Sequence, residues 1–252
     1  MARKKKNDEA INFELSRLTK GYKFNQGQLK EIACGLIDKL DVTWYLDTKF
    51  NASMMKQIRV GLLHNVDVSK YVNNTHEYSA SQMCEIRLGL EHHVDADMYC
   101  YENLNFRQMR QIRLGLEDHV DVTEYTNPSI TAEQMEQIRE YLKLNIRIKP
   151  YALQGFNPSQ LVIIAYGLEE NLDVSQYADL RFSAEQMLYL AFGLRNDIDI
   201  SEYKNPEYEA DFMRQMLDDL MYKAGKPVCY SVESYESTCF TFHKKQVFYP
   251  KR

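Results

Sequence analysis

A repeat of 26 residues runs through most of this 252-residue chain and constrains its fold more than any other feature of the sequence. Each copy has a Met or Leu anchor, and the anchors follow one another in steps of 26 residues, with one step of 28. The eight anchors are Leu29, Met55, Met83, Met109, Met135, Leu161, Met187 and Met213. Because repetition at a fixed period is typical of stacked copies of one supersecondary unit, the fold can be predicted from a single copy.

Helix start signals recur at a fixed distance from the anchor. Four residues before it, seven copies have a residue whose side-chain oxygen can accept a hydrogen bond from a first-turn N–H. These residues are Asn25, Asn51, Ser79, Asn105, Thr131, Asn157 and Ser183. In six copies a Gln follows three residues later, which completes a capping-box pattern. We predict helices that begin near residues 26, 52, 80, 106, 132, 158, 184 and 210 and run for about 13 residues.

The second half of each copy predicts a short element. Asn65, Asn145 and Asn171 suit a left-handed helix C-cap, and the D-V-S-x-Y-like segment that follows predicts a 3₁₀ or single-turn helix capped by Asp or Ser. A Gly six residues after the anchor costs about 1 kcal/mol in a helix, which we interpret as close backbone approach between neighbouring repeats. The predicted fold is all-α: an α-solenoid of seven to eight 26-residue repeats with a small β-like C-terminal cap.

The repeat divides the chain into three predicted segments. Residues 1–23 are a basic N-terminal segment and lead-in, residues 24–222 are the α-solenoid repeat domain, and residues 223–252 are an aromatic C-terminal cap or arm. In the last segment, CFTF and QVFY flank HKK and predict a short hairpin around 238–250. The 28-residue step predicts a polar loop insertion within 72–77.

Composition favours a cytoplasmic protein. A net charge of -5 excludes a general nucleic-acid coat. No apolar run approaches the ~18 residues of a membrane span, so we expect no membrane association. Five Cys without framework spacing are typical of a reducing cytosol.

The sequence has no catalytic or cofactor-binding motif of a known kind. His92, His93 and His119 are expected at the C-terminal ends of neighbouring helices, with Cys100 nearby in sequence. Their spacing lacks the C-x₂-C pair that is typical of zinc sites. We therefore expect a non-enzymatic protein without a cofactor or a metal.

Departures from a repeat indicate where function lies, because the regular positions serve the scaffold. In the fifth copy Lys143 stands where Glu is usual, and Tyr141 replaces the Gly. Arg147 replaces the Asp, and Lys149 replaces the Ser. Two interpretations stay open: a drifted repeat with a solvated face, or an anion site for a partner's carboxylates or for phosphate.

An Arg recurs four residues after the anchor in four successive copies. Pairing at i,i+4 with Glu91 and Glu117 explains Arg87 and Arg113, and the alternative is a basic stripe that continues to the fifth copy. The candidate partner-binding residues are Arg113, Arg139, Tyr141, Lys143, Arg147 and Lys149.

The sixth and seventh copies, LVIIAYGL (161–168) and MLYLAFGL (187–194), are apolar around most of the helix. Such helices are buried on more than one side. The predicted cover is either the chain's own tail, residues 223–252, or another protein chain.

The repeat has the form F-[ND]-x-x-Q-M-x-x-I-R-x-G-L-E-x-x-[LV]-D-V-S-x-Y and resembles a short helical repeat of uncharacterised proteins carried by bacterial mobile elements and phages. The resemblance covers about 200 of the 252 residues. It implies a solenoid from a mobile-element setting and carries over no known chemistry. We expect a scaffold that binds a protein partner, possible antagonism of a host defence system being a sub-hypothesis. The alternative is a nucleic-acid-binding solenoid that uses the mid-array basic patch and the Arg-Lys-Lys-Lys run at 3–6.

Overall fold

The predicted capping residues precede the helices in the computed structural model, which describes residues 2–72, 77–101 and 103–227. In these residues the fold is all-helical, with eleven α-helices, five 3₁₀ helices and no strand. None of the described helices is long and apolar enough to cross a membrane. The chain divides into two compact units, Met1–Ala132 and Glu133–Arg252, which we call unit 1 and unit 2.

In the described part of unit 1, the long helices pack in chain order: α1 on α2, α2 on α3, α3 on α5 and α5 on α6. These helices are α1 (Ala2–Leu18), α2 (Gln26–Ile37), α3 (Ala52–Leu63), the short α4 (Ser69–Val72), α5 (Ala80–Glu91) and α6 (Phe106–Glu117). The 3₁₀ helices are Val42–Tyr45, Ala96–Met98 and Val122–Glu124. The sequence predicted only a lead-in for residues 1–23, and α1 is a helix that the repeat pattern does not cover.

Unit 2 continues the same alternation of long and short helices. Its α-helices are α7 (Ala132–Leu142, which begins at the last residue of unit 1), α8 (Lys149–Gln154), α9 (Pro158–Glu169), α10 (Ala184–Arg195) and α11 (Ala210–Lys223). Its 3₁₀ helices are Val174–Gln176 and Ile200–Glu202. Helix α10 packs on both α9 and α11.

All eight predicted helix starts are confirmed. The first helical residues are Gln26, Ala52, Ala80, Phe106, Ala132, Pro158, Ala184 and Ala210. At α2 the Asn25 side chain accepts a hydrogen bond from the Gln28 N–H at 3.0 Å, and Gln28 Oε1 accepts one from the Asn25 N–H at 2.8 Å. The same capping box begins α5, α6, α9 and α10.

Helix α11, in the eighth copy, begins without this capping box. Glu209 stands at the cap position and makes no side-chain cap hydrogen bond. Phe212 replaces the Gln and packs edge-on against Tyr208, with 5.1 Å between ring centroids. Asp219 stands at the Gly position. The eighth copy thus keeps the helix but not the polar side chains that begin the other helices.

The helices end in a shared left-handed turn. The left-handed cap predicted at three Asn residues is confirmed, and it recurs at the same register in copies that lack Asn. The residues with positive φ at this register are Lys39, Asn65, His93, His119, Asn145, Asn171 and Asp197. At the end of α2, the Lys39 N–H donates to the Leu36 carbonyl at 3.2 Å and the Leu40 N–H donates to the Gly35 carbonyl at 2.9 Å. This pair of bonds defines a Schellman motif.

The short second element predicted in each repeat is confirmed. In the first copy the Asp41 side chain accepts a hydrogen bond from the Thr43 N–H at 3.1 Å and caps the 3₁₀ helix Val42–Tyr45. Val42 and Tyr45 are buried. The Asp of the D-V-S segment is therefore a turn-capping residue in this copy, as predicted.

The repeated Gly faces the Tyr of its own copy, so its predicted role between neighbouring repeats is wrong. Tyr125 is fully buried, and its hydroxyl donates to the Gln111 carbonyl at 3.2 Å. A Cβ on Gly115 would lie 1.8 Å from the Tyr125 hydroxyl oxygen. The same contact recurs at Gly35, Gly61, Gly89, Gly167 and Gly193. Gly is required because the Tyr ten residues later occupies the space of a side chain.

The capping-box Gln joins neighbouring repeats. Its Oε1 closes the cap of its own helix, and its Nε2 donates to the carbonyl of the apolar residue before the next cap. Gln28 bonds to the Phe50 carbonyl in this way at 2.7 Å. Equivalent bonds extend from Gln82 to Leu104, from Gln108 to Ile130, from Gln160 to Phe182 and from Gln186 to Tyr208. The second copy has Met54 in place of the Gln.

Two sequence predictions fall outside the described residues. Residues 73–76 make up most of the loop insertion predicted within 72–77, and the hairpin predicted around 238–250 lies in the segment 228–252. Both stay predictions.

Candidate interaction surface

A ladder of polar and charged contacts connects the helices of unit 1. In each rung, the Arg four residues after the anchor contacts the side chain two residues after the anchor of the preceding long helix. The rungs are Arg59 Nε to Glu31 Oε2 at 2.9 Å, Arg87 Nε to Gln57 Oε1 at 3.0 Å and Arg113 Nε to Glu85 Oε2 at 2.9 Å. The Arg residues therefore hold neighbouring helices together.

The predicted pairing within a helix is also confirmed. Arg113 Nη1 lies 2.5 Å from Glu117 Oε1, and His92 Nδ1 of the preceding helix lies 2.7 Å from the same oxygen. The equivalent contacts one copy earlier are those of Arg87 and His64 with Glu91. Each Glu thus binds an Arg of its own helix and a His of the helix before it.

These contacts favour the charged form of both carboxylates. Burial by itself raises the pKa of Glu91 and of Glu117, but hydrogen bonds from the Arg and His partners outweigh burial. The pKa of each carboxyl group therefore lies below the ordinary value of 4.5. Both groups stay ionised where most proteins operate, and the ladder keeps its ion pairs.

The histidines and Cys100 have local structural environments. His92 pairs with Glu117, and His93 and His119 occupy left-handed turns with φ of 59° and 58°. Among the residues that the structure describes, no group of three or more His, Cys, Asp or Glu side chains is placed to hold a metal ion. Burial raises the pKa of the Cys100 thiol to about 12, which keeps it protonated.

The six candidate partner-binding residues divide by burial. Those in the interior are Arg113, Arg139 and Tyr141, which are 6%, 7% and 7% exposed. Those at the surface are Lys143 and Arg147, which are exposed, and Lys149, which is half-buried. Arg113 belongs to unit 1 and the other five to unit 2. The part of the predicted set that a partner can reach is therefore limited to three residues of the fifth copy.

A carboxylate that the sequence analysis left out lies among these cations. Arg139 Nη2 is 2.6 Å from Glu140 Oε1, and Lys143 Nζ is 3.3 Å from Glu140 Oε2. Glu140 therefore offsets part of the positive charge of the fifth copy. The anion site predicted there stays a prediction, with Lys143, Arg147 and Lys149 as its accessible residues.

The fifth copy also departs from the repeat in its short element. Because Arg147 replaces the capping Asp, α8 has Ile148 at its N-cap, with no side-chain cap hydrogen bond. Pro150 lies in the first turn, where its missing N–H costs no hydrogen bond. Gly155, with φ of 97°, ends the helix. The result is a six-residue α-helix where most copies have a 3₁₀ helix.

Tyr141 explains a second change in the fifth copy. It occupies the Gly position, which in other copies is covered by the Tyr of the same repeat. The equivalent residue here, Tyr151, is only half-buried and packs edge-on against Phe156, with 6.0 Å between ring centroids. In the fifth copy, the side chain of Tyr141 thus fills the Gly position, and Tyr151 is less buried than the equivalent Tyr of the other copies.

In α9 and α10 of unit 2 the ladder positions are apolar, and both helices are buried around most of their circumference, as predicted. Tyr166 and Phe192 stack with 6.0 Å between ring centroids and are 1% and 5% exposed. Other buried residues of α9 and α10, one, two or four positions after their anchors, are Ile163, Ala165, Leu188, Tyr189 and Ala191. The predicted cover by the tail stays a prediction, because residues 228–252 lie outside the described part of the chain.

Unit 1 carries a more exposed helix face one, five and eight residues after the anchor, which was not predicted from the sequence. Directly after the anchor stand Lys30, Lys56 and Arg110, all exposed. Four residues further along the helices are half-buried Cys34, Val60, Leu88 and Leu114. Three residues beyond those, Ile37 and Leu63 are 59% and 46% exposed. The signal in the sequence is a basic residue directly after the anchor in three of the first four copies.

Comparison with known proteins leaves the chain without a neighbour. No protein-family model matches it, and neither a curated protein nor a solved structure matches it. The resemblance to repeat proteins of mobile elements and phages therefore stays a prediction.

Proposed function

We propose that this chain is a non-enzymatic interaction scaffold: an α-solenoid, closed at its C-terminal end by a small β-like cap, that binds a protein partner through its repeated surface. The observation that carries the proposal is the recurrence of one contact set from copy to copy. The Gln-to-carbonyl bond links successive repeats in both units, and the Arg ladder links the first four copies in unit 1. Contacts of this kind between successive repeats are what stabilise solenoids.

The surface of such a scaffold is suited to recognition because its outward positions are not needed for folding. In unit 1 the Met anchors and the Tyr of each copy are buried, whereas Lys30, Lys56 and Arg110, directly after their anchors, are exposed. A solenoid presents such positions as an extended row and binds extended partners with it. The setting that we propose is the cytoplasm, and the resemblance to mobile-element proteins supports antagonism of a host defence system as the biological role.

The test is capture and reconstitution. Tagged full-length chain, expressed in the cells that encode it, is purified at physiological salt, and co-purifying proteins are identified by mass spectrometry. A single protein that then binds the purified chain in stoichiometric ratio supports the proposal. The proposal is contradicted if the chain purifies alone, or if none of the co-purifying proteins binds the purified chain.

The second candidate function is nucleic-acid binding, which exposed Lys143 and Arg147 favour. Nucleic-acid affinity of this kind falls steeply with salt, because phosphate contacts release counterions. A mobility shift with single-stranded or double-stranded DNA or RNA that disappears as salt rises, in a chain that captures no protein, supports this alternative.

A further inference from the structure

We propose that unit 1 binds an extended acidic peptide segment of its partner across α2, α3, α5 and α6. The binding surface, which we call the basic–apolar face, consists of Lys30, Lys56, Arg110, Cys34, Val60, Leu88, Leu114, Ile37 and Leu63. This inference rests on the proposed function and adds to it a surface and a class of partner.

Helix geometry places these residues on one side of each helix. The basic residue, the half-buried apolar residue and the exposed apolar residue are separated by four and three positions, as in Lys56, Val60 and Leu63. Residues at i, i+4 and i+7 share one helix face. Helices α2, α3 and α6 therefore each offer a cation near the N-terminal end, and all four helices offer apolar area along the middle.

The cations of this face are available to a partner. The neighbouring Arg ladder is fully engaged, since Arg59 and Arg113 bind Glu31 and Glu85. Lys30, Lys56 and Arg110, by contrast, have no ion pair within the part of the chain that the structure describes. Exposed cations beside apolar area are the chemistry that an acidic, partly apolar ligand requires.

The same register in unit 2 demonstrates that this helix face can be buried. Leu188, directly after the anchor of α10, is 3% exposed, and Tyr166 and Phe192, four residues further along their helices, are 1% and 5% exposed. In unit 1 the equivalent positions are basic or half-buried. This helix face is therefore compatible with burial, and in unit 1 its charge selects an acidic covering segment.

Charge and shape distinguish the acidic peptide from other occupants. The chain's own segment 228–252 has four Lys or Arg and only Glu233 and Glu236, so its charge does not complement the face. Single-stranded nucleic acid stacks its bases on aromatic side chains, whereas the apolar residues of this face are aliphatic or Cys. An extended peptide offers both carboxylates for the cations and aliphatic side chains for the apolar row.

Spacing predicts the pattern of the peptide. Neighbouring packed helices lie about 8–10 Å apart, and an extended chain advances roughly 3.3–3.6 Å per residue. One helix step separates Lys30 from Lys56, which corresponds to about three peptide residues. Two steps separate Lys56 from Arg110, because Cys84 stands at this position in α5. We therefore expect two acidic residues three positions apart and a third about five or six positions further along.

The experiment uses a fluorescent synthetic peptide with this acidic pattern and Leu or Val at the other positions, titrated with the full-length chain. We expect binding that weakens by about tenfold or more in the variant Lys30→Glu, Lys56→Glu, Arg110→Glu. The matched control is Lys20→Glu, Lys204→Glu, Lys223→Glu, which alters net charge by the same amount at exposed positions elsewhere. Unchanged circular dichroism and thermal unfolding establish that both variants fold.

A second pair of variants tests the apolar row. Leu63→Ser is expected to weaken binding severalfold, whereas Leu153→Ser, at a residue of unit 2 that is 49% exposed, leaves it unchanged. A peptide that does not bind, or that binds both triple variants equally, overturns the inference. An oligonucleotide that binds this face in place of the peptide overturns it too. If a captured protein binds the chain and the charge-reversed variant equally, the scaffold function stands and this face is not its binding surface.

Discussion

Units 1 and 2 use the same helix register in opposite ways. In unit 1 the positions two and four residues after the anchor form the charged ladder, as in Glu85 with Arg113. In unit 2 the corresponding pair is Ile163 and Ala191, both buried. The caps, the Tyr–Gly contact and the Gln bond occur in both units. The comparison indicates that a few shared contacts specify the backbone of the repeat. The positions two and four residues after the anchor, by contrast, can hold either a charged pair or two apolar side chains.

Truncation after residue 224 tests whether the tail covers the apolar side chains of α9 and α10 in unit 2. Each large apolar side chain that loses its cover costs roughly 1.5–3 kcal/mol, and the buried side chains of α9 and α10 include Tyr166, Leu188 and Phe192. If the tail covers them, we expect a loss on the order of 5 kcal/mol together with association, measured by urea unfolding and light scattering. A truncated chain that stays monomeric and equally stable indicates that the tail is a free arm.

Variants of Arg113 and Glu85 test whether an apolar pair can replace the charged pair of the ladder. Arg113→Ala leaves Glu85 without its Arg partner and leaves Glu117 with His92 alone, and breaking a buried pair costs about 3–5 kcal/mol. The double variant Glu85→Ile, Arg113→Ala introduces the residues of unit 2 and is expected to recover most of that loss. Urea unfolding of both variants measures the difference. If the double variant is no more stable than the single one, the apolar pair of unit 2 cannot replace the charged pair of unit 1.

The Tyr–Gly contact is expected to be equally sensitive in both units. Gly115→Ala and Gly193→Ala each place a Cβ within 2.0 Å of a buried Tyr hydroxyl, and overpacking costs about 1–3 kcal/mol. Tyr125→Phe in the Gly115→Ala background removes the atom nearest to the new methyl group. Partial recovery of the thermal midpoint is therefore expected there. Loss in only one unit indicates that the contact is not a common element of the repeat.

The ladder gives unit 1 a pH dependence in the acid range. The pKa of Glu91 and of Glu117 in the folded chain lies below the ordinary 4.5, so both groups stabilise the fold above that value. This stabilisation is lost as the pH falls through the folded-state pKa. Urea midpoints at about pH 6 and about pH 3 measure it. The variant Glu91→Gln, Glu117→Gln is expected to show a smaller drop, and an equal drop contradicts the assignment.

The surface cations of the fifth copy are expected to have the smallest effect on stability. Lys143 and Arg147 are exposed, so changing both to Glu should shift the free energy of unfolding by no more than about 0.5 kcal/mol per site. The same change should weaken binding of an identified partner and lessen the salt sensitivity of that binding. Unchanged affinity removes these residues from the site.

Local signals were sufficient to predict most of the fold. Asn25 and Gln28 lie within one helix turn, so the sequence alone predicts their capping box. The start of α11, which has Glu209 at the cap position, was predicted from the spacing of the repeat. The left-handed turns were predicted only at Asn, because His93 and Lys39 adopt that conformation under the constraint of the Schellman bonds. Helix α1 was not predicted because it lies outside the repeat.

Contacts between distant residues were the limit of prediction. The role of Gly115 was misassigned because Tyr125 approaches it only after the chain turns back. Arg113 was read first as a partner of Glu117 four residues away, whereas its contact with Glu85 spans 28 residues and buries it. The exposed cations Lys30 and Lys56 stand in copies that follow the repeat pattern, so a search for departures from the repeat does not find them.

The capping-box Gln has a consequence for any copy added after the eighth. Five of the first seven copies donate this bond to the carbonyl before the next cap, so in these copies the bond runs in one direction along the chain. The eighth copy receives the Gln186 bond at the Tyr208 carbonyl, at 2.6 Å, but has Phe212 where a donor is needed. A further copy placed after the eighth would start without this bond, as the third copy does after Met54.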